Sequence, residues 1–125
     1  MVSTSTQIMQ RGLRGFCLVD DSGNAMTGTD YEAVAASQST QALGATGAAG
    51  DYLAGVLIVP GTTAAGAVSI KDGSNTAITI FVGGGTTALT ILTPVYVPIG
   101  AKSTAGAWQV TTGSNVTAIA FGNFT

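Results

Sequence analysis

The chain has no histidine. It therefore lacks the side chain that most often serves as a general base near neutral pH and most often ligates metals, which excludes Ser-His-Asp and Cys-His nucleophilic schemes. Ionic groups are also scarce: 8% of residues are charged, against roughly 25% in an average soluble domain. Only four of 125 residues are Lys or Arg and the net charge is −2. A nucleic-acid partner is excluded on that ground, since such binding draws on many cation–phosphate contacts. No apolar run reaches the 18 or more residues of a membrane-spanning helix; the longest, Leu53–Pro60, is interrupted by a glycine. The first fifteen residues do not follow the basic-then-apolar order of a secretory signal, because Arg11 and Arg14 come after an uncharged stretch. Cys17 has no partner cysteine, so no disulfide framework is expected and synthesis in a cytoplasm is.

What remains is hydrophobic and small. A hydrophobic fraction of 46% and a mean hydropathy of +0.45 exclude a disordered chain, which needs low hydrophobicity and high charge. The length fits one core. The ionic residues are Arg11, Arg14, Asp20, Asp21, Asp30, Glu32, Asp51, Lys71, Asp72 and Lys102, and none follows Lys102. A surface so poor in charge lacks the repulsion and hydration that keep monomers apart, so the expectation is a chain that hides part of its exterior in an assembly.

Residues 1–30 read as an N-terminal arm, with a short apolar segment Phe16-Cys17-Leu18-Val19 before the turn-like Asp20-Asp21-Ser22-Gly23-Asn24. Residues 31–125 read as the folded domain. Tyr31–Ser39 fits a strand or a weak helix, between which alanine does not arbitrate, and is read as a strand; Gln41–Gly50 reads as a loop. Tyr52–Val59 is a buried strand ended by Pro60-Gly61, where proline removes a ladder donor. Ala67–Lys71 runs into Asp72-Gly73, a tight-turn pair. Thr76–Val82 alternates, with Ile78, Ile80 and Val82 on one face and Ala77, Thr79 and Phe81 on the other, until Gly83-Gly84-Gly85 breaks it. Leu89–Thr93 and Val95–Ile99 form one or two strands around Pro94, which favours an edge, a bulge or a break between strands. Ala107–Thr111 and Val116–Phe121, around Thr112-Gly113-Ser114-Asn115, have the look of a hairpin. About seven to nine short strands, many turn residues and no sustained helical period predict an all-β, antiparallel sandwich of jelly-roll type, with an up-and-down barrel as the alternative.

Few residue patterns suggest chemistry. Cys17 in an apolar run reads as a small buried residue, not a thiolate nucleophile. Asp20-Asp21-Ser22-Gly23-Asn24 offers oxygens to calcium but departs from the EF-hand loop, with Ala25 where glycine belongs and Tyr31 where glutamate belongs. Gly83-Gly84-Gly85-Thr86-Thr87 lacks the lysine of a phosphate-binding loop. No spacing of the acids places a pair across a cleft. No catalytic residue, metal or cofactor is assigned. Tyr52, Phe81, Tyr96, Trp108 and Phe121 fall in predicted strands and are assigned to the core or a subunit interface; a sugar platform would need two or more of them exposed on one face.

The stretch Asp51-Tyr-Leu-Ala-Gly-Val-Leu-Ile-Val-Pro, then Gly66-Ala-Val-Ser-Ile-Lys-Asp-Gly, Pro94-Val-Tyr-Val-Pro-Ile-Gly and the run from Gly106 to Gly122 resemble small structural proteins of tailed-bacteriophage virions, the head decoration, cement or head-fibre proteins. The resemblance covers roughly Asp51 to Phe124 and rests on packing and turn residues. It implies a compact β-sandwich, commonly trimeric, on the virion surface, with the major capsid protein as partner and an N-terminal segment for attachment, here containing Arg11, Arg14 and Phe16. A tail module binding a host-surface glycan is the competing expectation, and a small hydrolase with a carboxylate pair the least favoured.

Overall fold

The computed structural model describes residues 30–84 and 92–125, which form eight strands and no helix. The strands are β1 (Asp30–Val34), β2 (Gln41–Ala42), β3 (Tyr52–Pro60), β4 (Val68–Asp72), β5 (Ile78–Phe81), β6 (Val95–Lys102), β7 (Trp108–Thr112) and β8 (Val116–Asn123). They make two four-stranded sheets, ordered β1-β8-β3-β6 and β2-β7-β4-β5. All pairings are antiparallel. The protein is an antiparallel β-sandwich. The pairs β4·β5, β3·β6, β2·β7 and β1·β8 are the rungs of a single ribbon folded back between β4 and β5, and curling that ribbon brings β3 onto β8 and β4 onto β7. This winding is the jelly roll.

Alternation explains which faces meet. Trp108, Val110 and Thr112 of β7 and Val116, Ala118 and Ala120 of β8 are buried, with their neighbours turned outward. Val34, Leu43, Leu53, Val56, Ile58, Ala65, Val68 and Ile70 complete the core, and Ile80, Phe81, Val97, Ile99, Ala101 and Phe124 pack against it. The largest fully enclosed side chains are Leu, Ile and Val, with Trp108 and the polar Asp51, Ser103 and Thr112 nearly as buried, and they fill the layer between the sheets closely.

The expected hairpin at Thr112–Asn115 is absent. β7 lies in one sheet and β8 in the other, so the segment crosses from layer to layer. Alternating strands bury one face in a hairpin and in a crossover alike, and here the long-range partners decide. The crossing backbone is satisfied by other segments: Gly113 N–H donates to Ala67 O, Gly66 N–H to Ser114 O, Gly61 N–H to Asn115 O and Ser37 N–H to Gly113 O. The stretch read as a loop, Gln41–Gly50, begins with the two-residue strand β2 on β7. Pro94 does break the chain before β6, whereas Pro98 lies within β6, at the sheet edge where a missing N–H costs least. In β5 the alternation slips at a bulge opposite Val68 and Ser69, so that Ile80 and Phe81 both pack on the core and Val82 is exposed. The predicted strand at Phe16–Val19 and residues 89–91 of the predicted Leu89–Thr93 strand lie outside the described residues.

Candidate functional site

The acids come first, since they are where chemistry would reside. Glu32 points between the sheets from β1, where its carboxylate accepts from Gln41 Nε2 at 3.0 Å and from Gly44 N–H at 2.7 Å. It pins the open side of the sandwich. Asp51, buried just before β3, accepts from Ala48 N–H at 3.0 Å, Thr125 N–H at 3.2 Å and Thr125 Oγ1 at 3.0 Å. Its own carbonyl takes the Trp108 indole N–H at 3.1 Å and Ser103 N–H at 2.8 Å, so one residue joins both sheets at that end.

Asp72 closes the β4–β5 turn, where Asn75 N–H returns to Asp72 O at 2.9 Å and Gly73 adopts a φ of +52°. The Ala105 backbone stands where a Gly73 side chain would go, so glycine is needed there twice over. The Asp72 carboxylate receives Thr104 N–H, Thr104 Oγ1 and Ala105 N–H, each at 2.9 Å. Desolvation acts to raise its pKa, but those donors from Ala105 and Thr104, joined by the Asn75 amide, outweigh it and hold the carboxyl below its ordinary 3.8. These three acids fasten loops. Asp30, the remaining described acid, helps line a shallow, open depression of about 400 Å³ with Tyr31, Glu32, Gly44 and Phe124. Among the described residues no group of three potential metal ligands gathers.

The most distinctive surface is the outward face of the β1-β8-β3-β6 sheet. Register places Tyr31 opposite Phe121, Phe121 opposite Gly55, and Gly55 opposite Pro98. One row along, Ala33, Ile119, Leu57 and Tyr96 stand side by side. Tyr31 is 71% exposed and Tyr96 49%, while Phe121, Ile119 and Leu57 are half-buried. Tyr96 leans from the edge strand across β3, its ring occupying the space that a side chain at Gly55 would need. There it meets Phe121 with centroids 6.3 Å apart and planes tilted 59°, a favourable aromatic geometry. The result is an aromatic band running Tyr31, Phe121, Tyr96 across the sheet, with no ionic side chain in these two rows.

The five aromatics singled out from sequence are thus divided. Trp108 is in the core and Phe81 packs on it; Tyr96 and Phe121 are on the outer face, and Tyr52 is half-buried at its end, opposite Lys102 and Asn123. Tyr31, the most exposed of the band, was not singled out, nor were Leu57 and Ile119. Alternation in Asp30-Tyr-Glu-Ala-Val hinted at Tyr31, but its neighbour Phe121 is ninety positions away in sequence and visible only in the register. Arg11, Arg14 and Phe16 lie outside the described residues. No family model, no curated protein and no solved structure matches the chain.

Proposed function

We propose that this protein is a virion structural component that decorates or cements the surface of a bacteriophage head, working as a homo-oligomer by adhesion and without catalysis. The observation that carries the reading is the aromatic band on the outer face of one sheet, whose two rows from Tyr31 to Pro98 and from Ala33 to Tyr96 hold no ionic group, because a surface of that kind is stabilised when another molecule covers it. The acids support it from the other side, since Glu32, Asp51 and Asp72 are engaged in holding loops. Repetition suits such a part: modest contacts made by several linked copies on a regular shell sum to firm attachment. In this reading the segment before β1, with Arg11, Arg14 and Phe16, meets the major capsid protein, and a trimer is the expected assembly.

The test is to purify phage particles from the source encoding the chain, identify it by mass spectrometry and locate it with gold-labelled antibody. Label on heads is the expected result; absence from purified particles overturns the proposal. Deleting residues 1–14 is expected to abolish binding to heads while leaving a folded oligomer. A second reading, a glycan-binding tail module, is favoured by one specific feature: Tyr31 and Tyr96 are exposed on the same face. It predicts label on tails and saturable binding on a glycan array.

A further inference from the structure

We infer that the outward face of the β1-β8-β3-β6 sheet is covered by a second copy of this chain. The inference rests on the adhesive, non-catalytic reading above and names the partner for that face. Its first support is charge. The two rows from Tyr31 to Pro98 and from Ala33 to Tyr96 carry no ionic group, so a copy laid against them meets no like charge. Charge repulsion between copies opposes self-association, and these two rows add nothing to it, Lys102 standing apart at the end of the face opposite Tyr52.

The second support is the state of the sheet edges. β1 and β6 are the edge strands. Pro98 interrupts the donor row of β6, and β1 turns the Glu32 carboxylate inward, two devices that discourage strand addition. Edge-to-edge pairing is thereby disfavoured and face packing is left as the route.

The third support is the chemistry and size of the patch. Two exposed tyrosines, flanked by half-buried Leu57, Ile119 and Phe121, match the aromatic anchors that carry interface energy. Four strands about 4.8 Å apart and about eight residues long, with a rise of about 3.4 Å per residue, give the whole face a plan area on the order of 500 Å², of which the two uncharged rows are about half. The whole face is a large part of the ~800 Å² per partner in a standard interface.

The experiment uses the full chain and measures mass by light scattering across a dilution series, with circular dichroism as a check on folding. Wild type is expected to form an oligomer. Ile119→Lys and Tyr96→Lys, each placing a charge on the face, should reduce the mass to that of one 12.3 kDa chain. Gly55→Ala, which displaces the Tyr96 ring without adding charge, should weaken association several-fold, and Thr111→Lys on the opposite sheet should leave the mass unchanged. Should the charged variants misfold, tyrosine nitration of wild type mapped by mass spectrometry decides: Tyr31 and Tyr96 protected in the oligomer and reactive on dilution support the inference. A wild type that stays monomeric at every concentration overturns it, as does an oligomer whose mass the folded face variants retain. A monomer that binds a glycan array or sediments with empty heads through Tyr96 likewise overturns it, giving the face to a saccharide or the shell. Head labelling is read separately, so failure of the self-contact and failure of the virion assignment are distinguishable.

Discussion

The two sheets of this sandwich share a core and differ on the outside. Outward positions of the β2-β7-β4-β5 sheet pair Ser69 with Thr111 and Lys71 with Gln109, with Thr79 beside Ser69. These are hydroxyls, an amide and one ammonium, groups that water solvates well. The corresponding positions of the β1-β8-β3-β6 sheet are Tyr31, Phe121, Leu57, Ile119, Tyr96 and Pro98. Both faces belong to one fold under the same demand for period-two alternation, so the fold does not explain the difference. An antiparallel sheet with one buried face ordinarily shows polar residues on the other, as the first sheet does. The second sheet departs from that rule, and the cover proposed for its face would account for the departure.

The comparison is most severely tested by setting an inward aromatic of the polar-faced sheet against an outward one of the apolar-faced sheet. Trp108→Ala empties the largest core site and removes one of the two donors to the Asp51 carbonyl, leaving only Ser103 N–H. It is expected to cost about 3–5 kcal/mol in urea unfolding. Tyr96→Ala should cost the isolated subunit under about 1 kcal/mol, because half its surface is already in water. Equal losses would mean that the outer band is part of the subunit's own core.

Asp51→Ala comes next. Removing the carboxylate leaves Ala48 N–H and Thr125 N–H without their acceptor at the end where the sheets are tied, at an expected cost of about 2–3 kcal/mol in the same titration. A loss within error would show that the sheets hold together without this tie.

Asp72→Asn affects the polar-faced sheet through pH. The folded-state pKa of Asp72 lies below 3.8, so its contribution is fully present above that value and is lost as pH falls through the lower folded value. Acid unfolding followed by tryptophan fluorescence should show a flatter stability profile below pH 3.8 for the variant. Parallel profiles would indicate that the Thr104–Ala105 contacts persist in the unfolded chain.

The smallest effect is expected at Thr111→Ala. Its hydroxyl accepts from Thr40 N–H at a solvent-exposed position, where water can substitute, so thermal and urea midpoints should move by no more than about 0.5 kcal/mol in equivalent stability. A larger change would make the polar face a structural element and not a solvated one.

Several parts of this architecture were legible from residue order. Tyr52–Pro60 announced a buried strand by its apolar run and closing proline, and Asp72-Gly73 announced the β4–β5 turn. Both signals are local, arising from sterics and hydrogen bonding within a few residues. The β7–β8 connection was misread because Thr112-Gly113-Ser114-Asn115 satisfies local turn preferences, while its real backbone partners, Ala67, Gly66, Gly61 and Ser37, are distant in sequence. The candidate surface was half legible. Tyr96 and Phe121 were identified as aromatics of predicted strands, but whether a strand's face turns inward or outward depends on which neighbours flank it. Trp108 and Tyr96 carry similar local signals and ended on opposite sides of the sheets.

By itself, the sequence determined that the protein is a β structure, because alternation, turn residues and the lack of a helical period act over short range. It also determined the scarcity of ionic groups, which is a matter of composition. The strand pattern predicted a jelly-roll-type sandwich with a barrel as the alternative; only the tertiary structure decided between them and brought Tyr31, Phe121 and Tyr96 together on one outer face. Those outcomes depend on register between strands far apart in the chain, and register is set by the mutual burial of whole faces, which no short window of residues contains.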